Sequence, residues 1–109
     1  MASTQQVQIE QLRSLAYTSI SSSYAAIGTA LANPARIFVI TNATNGNLIL
    51  SIDGVNDYFF IAASSFKLFD FNTNKHLRDQ SWVMPGGTQF YVKQSTAPSS
   101  GSIYIESLY

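Results

Sequence analysis

The groups in this chain that can do chemistry are one histidine, six carboxylates and a scatter of serines, with no cysteine. His76 lies in the polar stretch Asn72–Asp79 beside Lys75 and Arg78. A lone histidine in a polar loop is usually a solvated surface residue, and we read His76 as one. No Gly-x-Ser-x-Gly elbow is present to expose a serine nucleophile. Asp53 and Asp57 share a loop and can meet Asp70 in space as oxygen ligands for calcium. Gly54 directly follows Asp53, however, and no Glu closes the set, so the pair reads as turn residues. A paired-carboxylate glycosidase needs two acids facing a cleft, and no spacing here indicates one. Without cysteine there is no disulfide and no thiolate metal site. The expectation is a protein that is not an enzyme and carries no metal or cofactor.

Binding motifs are equally sparse. Gly86-Gly87 after Pro85 is too short to cradle a phosphate and reads as a turn. Asn42-Ala43-Thr44 spells a glycosylation sequon that we read as chance. Arg36, Lys67 and Lys93 lie among aromatics in a way that could suit single-strand stacking. The formal net charge is zero, though, and only 11% of residues are charged, so no nucleic-acid partner is expected. A surface built from Ser, Thr, Asn and Gln instead of mixed charges suits a chain that lives in an assembly. Apolar runs such as Ile37–Ile40 fall far short of the roughly 20 residues a membrane-spanning helix needs. The polar Met1–Gln6 lacks a signal-peptide pattern. Neither membrane nor secretion is expected.

The elements that must position any site are short β-branched and aromatic runs separated by turn residues. Arg36–Thr41 and Asn47–Ile52 are the first two clear strands. Between them Asn45-Gly46 tolerates positive φ and predicts a tight hairpin. Asp57–Ile61, Ser65–Phe71 and Ser81–Met84 follow. Thr88–Gln94 and Ser102–Leu108 are read as a second hairpin closed by Pro98–Gly101. Val7, Ile9, Leu12 and Leu15 can line a short helix or, in part, alternate as a strand. Leu15–Ile27 has the Ser, Thr and Tyr content of strand. The fold class is therefore all-β, an antiparallel β-sandwich or jelly roll over residues 15–109, with 1–14 as an N-terminal arm, extended or a short helix.

In Ser65–Phe71 both faces are apolar: Phe66 and Leu68 share one, and Phe69 and Phe71 share the other with Lys67. Either the N-terminal segment or a neighbouring subunit covers the second apolar face. We assign Phe69 and Phe71 to a protein interface, together with Val7, Ile9 and Leu12 of the arm. The loop residues Lys75, Arg78 and Asp79 join them as orienting contacts, their alternative being plain solvated surface.

The segments Asn33-Pro34-Ala35-Arg36-Ile37, Thr41-Asn42-Ala43-Thr44, Ser51-Ile52-Asp53-Gly54 and Phe69-Asp70 are similar to a type of small β-sandwich virion protein of tailed bacteriophages. Gly87-Thr88-Gln89-Phe90-Tyr91-Val92-Lys93 and Ser100-Gly101-Ser102-Ile103-Tyr104 extend the resemblance, which covers residues 15–109. It implies a non-enzymatic structural role in the virion as head decoration, collar, adaptor or fibre attachment. It further implies symmetric copies contacting one another and other virion proteins, assembled in the host bacterial cytoplasm. The alternative is a glycan-binding β-sandwich in which exposed tyrosines and Trp82 stack on sugar rings.

Overall fold

The computed structural model describes residues 8–71 and 84–109. Among them are eight strands: β1 Arg13–Ala16, β2 Ala25–Ala26, β3 Ile37–Asn42, β4 Leu48–Ser51, β5 Phe59–Ile61, β6 Ser65–Asp70, β7 Tyr91–Gln94 and β8 Ser102–Leu108. A single 3-10 turn, Tyr17–Ser19, lies between β1 and β2. The strands form two antiparallel four-stranded sheets, in the orders β1-β8-β3-β6 and β2-β7-β4-β5. β1 pairs β8, β2 pairs β7, β3 pairs β6 and β4 pairs β5. This is one long antiparallel ribbon rolled over on itself, the jelly-roll form of a β-sandwich.

That topology overturns both predicted hairpins. β3 and β4 lie in different sheets, and so do β7 and β8. The Asn45-Gly46 and Pro98–Gly101 turns are crossovers that pack on each other at one end of the sandwich. Asn45 Nδ2 donates to Ser99 Oγ at 2.7 Å, and the Ser99 amide returns a bond to Asn45 Oδ1 at 2.7 Å. Asn42 shapes the first crossover from beneath. Its buried Nδ2 donates to the carbonyls of Gly46, Ile61 and Ala62 at 2.9, 3.1 and 3.2 Å. Its Oδ1 accepts from the Thr44 amide and hydroxyl at 3.0 and 2.6 Å. A polar group this deep must find partners inside the protein, and Asn42 finds five. The same burial removes the sequon asparagine from solvent.

The core lies between the sheets and follows strand alternation. Phe38 and Ile40 of β3, Ile103 and Ile105 of β8, Leu48 and Leu50 of β4, Ile61 of β5 and Val92 of β7 are all buried. Phe38 is the hub. Its ring stacks on Phe69 at 4.7 Å and meets Phe90, from just before β7, at 5.3 Å and Phe71 at 5.7 Å. Phe59 of β5 closes the group against Phe69 at 5.0 Å, joining the two sheets. Each such ring pair is worth about 0.5–1.5 kcal/mol beyond the area it buries.

Of the residues expected to form an N-terminal arm, 8–14 are described, and they pack on their own domain. Residues 8–12 run beside β8: Gln8 and Tyr109 exchange backbone bonds of 2.8 and 2.7 Å, and the Glu10 amide donates to Ser107 O at 3.0 Å. The expected boundary between residues 14 and 15 falls inside β1. Glu10 and Arg13 anchor this stretch as a buried pair at 2.8 Å. Arg13 also donates to the carbonyls of Gln11, Thr29 and Ala30. Glu10 accepts from the amides of Ala32 and Asn33 at 3.2 and 2.8 Å. Burial pushes the Glu10 carboxyl up. The bond from Arg13 and those from Ala32 and Asn33 outweigh it, so its pKa lies below the usual carboxylate value.

Candidate functional site

Exposed large apolar side chains fall into two groups, Ile52, Val55, Tyr58 and Phe60 around β4 and β5, and Ile9, Leu12, Phe66 and Leu68 on the outer face of the β1-β8-β3-β6 sheet. Register places the second group. Phe66 stands opposite Thr41 and Leu68 opposite Val39. On the far side of β3, Tyr104 stands opposite Thr41, Glu106 opposite Val39 and Leu108 opposite Ile37. All of these have the parity opposite to buried Phe38, Ile40 and Ile105, so they point outward. Phe66 is 66% exposed and Leu68 57%. Beyond β8 the strip continues to Ile9, bridged to Leu108, and to Leu12 just before β1; these are 73% and 53% exposed.

A sandwich sheet with one wet face alternates apolar inside and polar outside. β6 instead carries aromatic or aliphatic residues on both faces. On its outer side Leu68 stands directly opposite Val39, while Phe66 and Tyr104 flank Thr41 from the two sides and Glu106 flanks Val39. Phe66, Leu68, Ile9 and Leu12 are the exposed apolar residues of this face, half-buried Val39 and Tyr104 lie among them, and Thr41 and Glu106 interrupt them.

The sequence-predicted interface residues divide accordingly. Ile9 and Leu12 belong to this outer face. Phe69 and Phe71 do not: they turn inward and pack against Phe38, with Phe69 also on Phe59. Assigning them to an interface is corrected by register, because β6 pairs β3 with Phe38 and Phe69 side by side on the core face. The exposed face of β6 is the other one, carrying Phe66 and Leu68. Alternation had already grouped those two; nothing local in the sequence marked theirs as the exposed face. Val7, Lys75, Arg78 and Asp79 lie outside the described residues, as do His76 and Trp82.

The carboxylates singled out as calcium ligands are used differently. Asp53 closes the loop between β4 and β5. It accepts from the amides of Val55 and Asn56 at 2.8 and 2.9 Å, from Ser51 Oγ at 2.7 Å and from Tyr58 Oη at 3.1 Å. The Asn56 amide, the Ser51 hydroxyl and the Val55 amide hold its carboxyl far below the ordinary range. Asp57 accepts from the Tyr24 phenol and pairs with Lys93 Nζ at 3.0 Å. Those contacts, the phenol first, lower its pKa. Burial, and then Asp57, raise that of Tyr24. Among the described residues no group of three or more His, Asp or Glu side chains is placed to hold a metal ion. No family model, curated protein or solved structure matches the chain.

Proposed function

We propose that this protein is a non-enzymatic structural component of a bacteriophage virion. It assembles in symmetric copies through the outer face of the β1-β8-β3-β6 sheet and binds neighbouring virion subunits at the ends of the sandwich. The observation that carries the assembly role is the apolar surface of Ile9, Leu12, Val39, Phe66, Leu68 and Tyr104. Covering it with another subunit contributes about 25 cal/mol for each Å² of apolar area removed from water. Near-neutral charge supports the same reading, since few charges have to be desolvated when copies meet. The virion assignment is supported by the resemblance of residues 15–109 to small phage β-sandwich proteins.

Native mass tests it. The purified chain is expected to sediment as a closed oligomer, and Phe66→Ser with Leu68→Ser is expected to dissociate it while the fold is kept. A wild-type chain that remains monomeric at high concentration, and a double variant that enters particles at the normal level, would count against the proposal.

A further inference from the structure

The opposite sheet presents a second and different surface. Phe60 leaves the edge strand β5 outward, Tyr58 lies just before that strand with its amide bonded to Leu50 O, and Phe59 between them turns inward onto Phe69 at 5.0 Å. Tyr58 and Phe60 are 51% and 52% exposed. Residues two apart along an extended chain lie about 7 Å apart, so the two rings are within reach of one ligand. Ile49 lies across the ladder from Phe60. With Asp57 and Phe59 these residues line a shallow cavity of about 240 Å³.

Tyr58 and the polar groups beside it are held in place. The Tyr58 phenol is tied to Asp53 at 3.1 Å, and Asp53 is itself fixed by four further donors from Ser51, Val55 and Asn56. Asp57 is held by Tyr24 and Lys93, and the Lys93 ammonium sits 4.8 Å from the centre of the Tyr24 ring. Groups ordered before a ligand arrives lose little entropy on binding it. The rings offer negative π faces, which suit polarised C–H groups. Asp57 and Lys93 offer a hydroxyl-binding acceptor and donor whose charges cancel.

We propose that this face of β4 and β5 binds a neutral pyranose glycan, with Phe60 and Tyr58 stacking under the sugar ring and Asp57 and Lys93 bonding its hydroxyls. A pyranose has the required form: one flat C–H face and a rim of hydroxyls. A nucleic acid could stack on the same rings, but the carboxylates of Asp53 and Asp57 repel phosphate. The glycan site is separate from the assembly face on the other sheet, so either can fail alone.

The experiment is an amide-resolved NMR titration of the full chain with maltohexaose, cellohexaose and mannohexaose, and in parallel with oligo(dT). Stacking on a bare pyranose face is tolerant of linkage, so at least one hexasaccharide is expected to shift the amides of Ile49, Asp57, Tyr58 and Phe60. Phe60→Ala is expected to weaken that binding about tenfold, and Tyr58→Phe to keep most of it. Phe66→Ser, on the other sheet, should leave it unchanged. Amides that no hexasaccharide shifts, binding that Phe60→Ala leaves intact in a folded chain, or tighter binding of oligo(dT) would each overturn the proposal.

Discussion

Gly101 and Ala43 touch backbone to backbone where the two crossover loops meet: a Cβ on Gly101 would stand 2.0 Å from the Ala43 carbonyl oxygen. Gly101 also adopts φ +90°, in the left-handed region. Gly101→Ala therefore meets two penalties, about 1–3 kcal/mol of backbone strain and roughly 1–3 kcal/mol for displacing the neighbouring loop. Gly87 is the internal control, with φ +88° but nothing within 4 Å of its added Cβ. Urea unfolding should show Gly101→Ala losing clearly more stability than Gly87→Ala. Equal midpoints would mean the loops part readily.

Strand β6 separates core from surface within a few residues. Phe69→Ala removes a ring stacked on Phe38 and should cost about 2–4 kcal/mol. Phe66→Ala removes an exposed ring and should change monomer stability by no more than about 0.5 kcal/mol. Denaturant melts of dilute protein compare the two directly; a comparable loss from Phe66→Ala would place that ring in the core.

The Glu10–Arg13 pair links the N-terminal strand to the 28–33 loop. Arg13→Ala leaves a buried carboxylate short of its cation and should cost about 3–5 kcal/mol. The pH dependence follows from the lowered folded-state pKa of Glu10. Its contribution is complete above the unfolded-state value of 4.5 and is lost as pH falls from there through the lower folded value. Glu10→Gln should therefore flatten the loss of stability with acid below that value, while being less stable than wild type at neutral pH. Parallel acid profiles of the two proteins would exclude the assignment.

Two buried or half-buried serines should respond in opposite ways. Ser107 Oγ is buried with no hydrogen-bond partner among the described residues. Ser107→Ala should leave stability unchanged or raise it by up to about 1 kcal/mol. Ser51 Oγ instead donates to Asp53 at 2.7 Å and accepts from the amides of Asp53 and Gly54 at 3.1 and 3.0 Å. Ser51→Ala strands those amides and should cost about 1–3 kcal/mol. It should also broaden the Asp53–Tyr58 amide signals as the loop loosens. A destabilised Ser107→Ala would show that its hydroxyl is bonded.

How much of this was legible in the sequence differs between fold and site. β-branched and aromatic runs between turn residues placed β3, β4, β6 and β8 to within about one residue and started β5 and β7 two and three residues early. The expected strand Ser81–Met84 lies outside the described residues but for Met84. The exposed Ile9 and Leu12 could be singled out as apolar islands in a Gln-rich stretch. Which strand pairs with which was not legible. Asn45-Gly46 and Pro98–Gly101 announce that the chain turns, but a turn signal is local, and the direction of departure is set by contacts far along the chain: Asn42 to Ile61 and Ala62, Asn45 to Ser99, Gly101 against Ala43. The same limit misplaced the surface of β6. Sequence showed two apolar faces, Phe66 with Leu68 and Phe69 with Phe71. Only the pairing of β6 with β3, which lays Phe69 beside Phe38 and under Phe59 of the other sheet, decided which face the core would take and which it would leave exposed.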